Sequence, residues 1–104
     1  MMNVSIDLCV VPLGVGVSVS TYVAACASVI REAGLSFRIN ANNTEIEGEW
    51  DAVFAAVKRC HEVVHGMGAP RIVTSMRVNT RTDKEQSMAD KIYSVQTKLD
   101  QTSL

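Results

Sequence analysis

The chain has 104 residues, of which 47% are hydrophobic and 20% charged, with a formal net charge of −1. That length supports one hydrophobic core rather than two, so residues 1–104 read as a single domain. The near-neutral balance excludes nonspecific nucleic-acid binding, which draws on a basic patch to displace counterions from phosphates.

In the first segment Val4, Ile6, Leu8 and Val10 alternate with Asn3, Ser5, Asp7 and Cys9, the period-2 pattern of a half-buried strand. The surrounding apolar run, VSIDLCVVPLGVGVSVS, is broken by Asp7, Pro12 and two glycines. It therefore reads as neither a signal peptide nor a membrane span, and a cytoplasmic protein is expected. PLGVGVSVS is read as a loop, and Ser18 or Ser20 is the expected N-cap of the following helix. Val23, Cys26, Ala27 and Ile30 recur there at helical spacing, and Gly34 supplies the stop.

Leu35, Phe37, Ile39 and Ala41 alternate again, as a second strand. Asn42-Asn43 marks a turn, since asparagine tolerates positive φ, and Thr44 to Gly48 returns as a third strand, making a hairpin. A second helix is expected from about Glu49 to about Met67, with Trp50, Val53, Phe54, Val57 and Val64 as its buried stripe. Glu49 and Asp51 fall in its first turn, where the helix dipole favours negative charge. Arg71 to about Val78 alternates as a fourth strand, NTRTDKEQS is a polar connection, and Met88, Ile92, Val95 and Leu99 mark a third amphipathic helix.

The order β-α-β-β-α-β-α predicts an α+β fold, the ferredoxin-like βαββαβ sandwich with an extra C-terminal helix. Two helices cover one face of such a sheet. Strand phase assigns Ser5, Asp7, Cys9, Arg38, Asn40, Glu45, Glu47, Val73, Ser75 and Arg77 to the other. A face so mixed suits a polar ligand or a subunit interface, with the last helix lying across it or docking on a neighbour.

The three cysteines, Cys9, Cys26 and Cys60, are odd in number, lack a CxxC and sit in apolar segments, so they read as reduced thiols packed as small hydrophobes. His61 and His65 are spaced to share a helix face but have no third ligand in view, and neither a metal nor another cofactor is expected. GVGVS lacks the full signatures of phosphate and dinucleotide loops, and no motif arranges Ser, His and Asp as a triad. The chain is not expected to be an enzyme. The middle strands offer no aromatics outside the predicted core, against an RNA-binding sheet.

The sequence resembles the small thiamine-binding-protein family. The resemblance lies in the P-x-G turn and serine-rich helix start of PLGVGVSVS, the GLSF block, TEIEG, the strand RIVTSMRV with its arginine-bearing loop, and DKIYSVQ. It covers nearly the whole chain and implies a ferredoxin-like fold, a homodimer or homotetramer, and binding of thiamine or a hydroxymethylpyrimidine-like molecule without catalysis. No nucleic-acid or membrane partner is expected.

NNTEIEGEW carries chemistry that fits such a ligand. Glu47 would accept from a pyrimidine amine or protonated ring nitrogen and offset a positive charge. Thr44, Asn42 and Ser20 offer neutral donors and acceptors, and Trp50 can stack on a flat ring or serve the helix core. Gly48 would allow close approach by a ligand or neighbouring strand. Glu45 reads as a surface or interface charge, and Arg71 and Arg77 as anion holders or intersubunit ion-pair partners. Two other readings compete: a structural or regulatory oligomer with no small ligand, and an enzyme with an unrecognised polar site.

Overall fold

The alternating first segment becomes the spine of the molecule. In a computed structural model describing residues 2–83 and 87–102, β1 (Asn3–Leu13) has strands on both sides. The chain continues through α1 (Ser20–Glu32), β2 (Ser36–Ile39), β3 (Thr44–Glu49), α2 (Trp50–Gly66), β4 (Arg71–Asn79) and α3 (Met88–Thr102). The strands form one antiparallel sheet in the order β2-β3-β1-β4. This is the expected ferredoxin-like α+β arrangement.

The core lies between the sheet and the α1–α2 layer. Val4, Ile6 and Leu8 of β1 and Ile46 of β3 pack with Cys26 and Ile30 of α1 and with Val53, Val57, Cys60 and Val64 of α2. Burying each aliphatic side chain contributes about 1.5–3 kcal/mol before chain entropy is set against it. Trp50, Phe37 and Leu35 close the edges of this cluster. Cys60 Sγ donates to the Cys26 carbonyl oxygen at 3.7 Å, joining α2 to α1 inside the core. Its contact with Cys26, then burial, pushes the Cys60 thiol well above its usual pKa.

Both covering helices end in the same way. Gly34 takes φ +74°, Gly34 N–H donates to Arg31 O and Leu35 N–H reaches back to Ile30 O, so the last carbonyls of α1 are satisfied. Gly68, with its bonds to His65 O and from Ala69 N–H to Val64 O, does the same for α2.

Three local expectations change. The N-cap of α1 is Val19, which makes no side-chain cap bond, rather than Ser18 or Ser20. Pro12 and Leu13 belong to β1 and not to a loop, because β4 gives them partners in Ile72 and Arg71. The hairpin turns through Asn40–Asn43, closed by Asn40 N–H to Asn43 O at 2.8 Å and an amide–amide bond between the same side chains. Among the described residues, no residue other than glycine has positive φ, so the asparagines serve by hydrogen bonding instead.

Candidate functional site: the open face of the sheet

Register brings the polar residues of four strands into rows. Arg38 of β2 faces Glu45 of β3, Glu45 faces Asp7 of β1, and Asp7 faces Arg77 of β4. One row across the open face therefore reads positive, negative, negative, positive. The next row holds Ser36, Glu47, Ser5 and Asn79. Toward the other end Cys9 meets Ser75 and Val11 meets Val73. The strand phase inferred for this face is observed except at Asn40, which leaves β2 for the hairpin turn.

The acids on this face are held differently. Asp7 Oδ1 accepts the Arg77 backbone N–H at 3.2 Å. Glu47 Oε2 accepts the backbone N–H of Met88, the first residue of α3, at 2.9 Å. That bond puts a carboxylate at a helix N-terminus, where the dipole favours it. Ser87 and Asp90 complete the cap reciprocally: Ser87 N–H donates to Asp90 Oδ2 at 2.9 Å and Asp90 N–H to Ser87 Oγ at 3.1 Å. Those bonds from Ser87 hold the Asp90 carboxyl below its ordinary pKa.

Two clefts open between this face and α3. The larger, about 720 Å³, is lined by Ser5, Glu47, Asn79, Arg81, Asp90 and Lys91 among others. The smaller, about 210 Å³, is lined by Asp7, Glu45, Arg77, Met88, Lys91 and Ile92 with Ser5, Ile6 and Asn79. Glu47 thus borders the larger cleft and Asp7 and Glu45 the smaller, and the two share Ser5, Asn79 and Lys91. Acceptors so placed can take amine or protonated-nitrogen donors, while Arg81 and Lys91 in the larger cleft and Arg77 and Lys91 in the smaller balance the acids that line each.

Of the five residues expected to hold the ligand, Glu47 lies on this face and Ser20, Asn42, Thr44 and Trp50 do not join it. Ser20 is the exposed first residue of α1, and Asn42 is exposed in the hairpin turn. Thr44 opens β3 opposite Leu8, in the phase that faces the helices. Trp50 begins α2, packs against the core and lies 4.6 Å from Phe54 between ring centroids. Ser20, Asn42 and Thr44 sit near the end of the sheet where β1 runs out to α1. Glu47 and Trp50 are at the opposite end, where Trp50 N–H bonds Met2 O. Neither cleft is lined by Ser20, Asn42, Thr44 or Trp50.

Gly48 also differs from its expected use. The close approach it permits is made by Leu35 of the same chain, on the helix side. Of the histidines, His61 Nε2 shares a 2.6 Å hydrogen bond with Thr74 Oγ1, and His65 Nδ1 donates to Ala69 O at 2.8 Å. Asn79, Lys91, Ser87 and Asp90 belong to the site although they were not singled out. Only the Ser87–Asp90 spacing, that of a capping box, was a readable signal.

A small ferredoxin-like sandwich whose uncovered sheet face carries acid-lined clefts is a fold class with many uses. This chain belongs to the thiamine-binding protein family, whose model matches residues 6–96. A UPF0045 protein of Synechocystis is 64% identical over 99 residues, covering 95% of this chain and 82% of that one. A UPF0045 protein of Eremothecium gossypii is 42% identical, covering 94% of each. The crystal structure of a hypothetical protein from Methanocaldococcus jannaschii superposes with a TM-score of 0.86 at 32% identity, covering 92% of this chain and 98% of that one. Among the described residues, no helix is long and apolar enough to cross a membrane.

Proposed function

We propose that this protein binds thiamine or a related hydroxymethylpyrimidine as a homo-oligomer, without transforming it. The observation that carries this reading is the set of three carboxylates, Asp7, Glu45 and Glu47, bordering two clefts on one sheet face. Thiamine joins an aminopyrimidine, which donates hydrogen bonds, to a cationic thiazolium, and both halves are favoured by ionised acceptors. Membership of the thiamine-binding protein family supports the same ligand class. The carboxylates act as acceptors for the fold's own N–H groups, Glu47 for Met88 and Asp7 for Arg77, and holding a ligand asks nothing more of them. Three free cysteines accord with a reducing, cytoplasmic setting.

Self-association follows from apolar groups left in solvent. Val73 on the open face and Ile92 and Val95 on α3 are exposed in a single chain, and a second copy is the partner that covers them. The same exposure favours the second reading, an oligomer that serves a structural or regulatory purpose with no small ligand.

Calorimetric titration with thiamine, its phosphates and hydroxymethylpyrimidine separates the readings. Saturable binding with the ligand recovered intact is the expected result. Silence across the series overturns the ligand reading and leaves the structural oligomer, while recovery of a converted product makes the protein an enzyme.

A further inference from the structure

Among the described residues, one side-chain hydrogen bond ties α3 to the sheet, from Met88 N–H to Glu47 Oε2 at 2.9 Å. Apolar burial adds little to it within the chain. Ile92 is 42% exposed, Val95 67% and Tyr93 74%. Yet the first turn of α3 roofs the acid-lined space: Lys91 lines both clefts, and Met88 and Ile92 line the smaller one. The carboxylate that holds the roof also lines the larger cleft.

We infer that α3 is a displaceable lid on the open face and that Glu47 is its latch, coupling ligand occupancy to the position of the helix. The inference rests on the ligand reading proposed above. A ligand amine or protonated ring nitrogen seated in the larger cleft donates to this same carboxylate, and turning Glu47 toward it draws Oε2 off the line to Met88 N–H. Met88 N–H then loses its acceptor, and the negative charge that complemented the dipole of α3 is spent on the ligand. Ser87 and Asp90 still cap the turn, so the helix persists as a helix while its attachment to the sheet is given up. Lys91 leaves with it, clearing a competing cation from the edge of both clefts.

Amide hydrogen exchange of the full chain, read over residues 87–92, tests this. Without ligand, Glu47→Ala should speed exchange in the first turn of α3 by roughly tenfold or more, the effect of losing a hydrogen bond to a charged acceptor. Glu47→Gln keeps an acceptor oxygen and should lose only part of that protection. Protection in the β1–α2 core should be unchanged in both variants, showing that the fold is retained. Saturating thiamine added to the wild-type protein should speed exchange in the same turn.

An unchanged first turn in Glu47→Ala overturns the latch, whatever binds. Thiamine that binds by calorimetry but slows exchange in α3 overturns the displacement and leaves the ligand reading standing. Calorimetric silence overturns the ligand reading and the displacement together, with the Glu47→Ala result still deciding how α3 is attached.

Discussion

A Cβ placed on Gly48 would lie 2.6 Å from Leu35 Cδ2, so the absence of a side chain in β3 is what lets Leu35, in the link between α1 and β2, close over the sheet. Val53 Cγ2 stands 3.4 Å from the same point, an ordinary contact, so Leu35 is the side chain that would have to give way. Gly48→Ala should therefore destabilise the fold by about 1–3 kcal/mol, the usual cost of overpacking a filled core. Urea denaturation checks this through a lowered midpoint at an unchanged slope.

The two strand carboxylates should separate in a binding assay. Glu47→Gln is expected to weaken thiamine binding by about 1.5–3 kcal/mol, the range for a hydrogen bond to a charged group. Glu45→Gln, which removes a charge facing Arg38 and Asp7, should do much less. Calorimetry decides it, once both variants are shown to keep the wild-type assembly. Equal losses would make TEIEG a structural element.

Assembly has its own signature. Light scattering at micromolar concentration should give a multiple of the 11.3 kDa chain mass. Val95→Glu, which puts a charge on the exposed stripe of α3, should reduce that multiple while leaving the circular dichroism of the fold intact. A monomeric wild-type mass would sink the oligomer reading.

The thiols should react in a fixed order. Cys9 is half-buried on the open face, whereas Cys26 and Cys60 are buried and in contact. Alkylation of the native protein should modify Cys9 first, with Cys26 and Cys60 labelled only after unfolding. The raised pKa of Cys60 strengthens this, since the thiolate is the reactive form.

Acid should release the Ser87–Asp90 cap of α3 only at low pH. The Asp90 carboxyl titrates below its ordinary value of 3.8 because Ser87 donates to it. Its contribution is thus complete above 3.8 and is lost as pH falls through the lower folded value. The Ser87 amide resonance, followed by NMR down to strongly acidic pH, should shift with that depressed midpoint, and Asp90→Asn should abolish the transition.

Much of the fold was written in local pattern. The alternation of Val4, Ile6 and Leu8 and the spacing of Val53, Val57 and Val64 name their faces without help from the rest of the chain, and all six are buried. What stayed hidden depends on partners distant in sequence. Nothing near Pro12 says that β4 will extend β1 past it. No local pattern pairs Glu47 with Met88, a bond 41 residues apart in sequence. TEIEG identified a carboxylate on the right face, but the neighbouring residues Thr44 and Trp50 answer to strand phase and helix packing. Proximity in sequence to Glu47 was therefore a poor guide to proximity in its cleft.

The row Arg38, Glu45, Asp7, Arg77 has one more consequence, for how two sheets can meet. Its signs form a palindrome, and a palindrome cannot be its own complement. If two copies stacked open face to open face about a two-fold axis parallel to the strands, with their rows aligned, arginine would lie over arginine and acid over acid. Sliding one sheet by two strand spacings, about 10 Å, brings each overlapping arginine above an acid. Any face-to-face pairing about such an axis is thus steered toward an offset, which leaves half of each row, one arginine and one acid, beyond the edge of the contact.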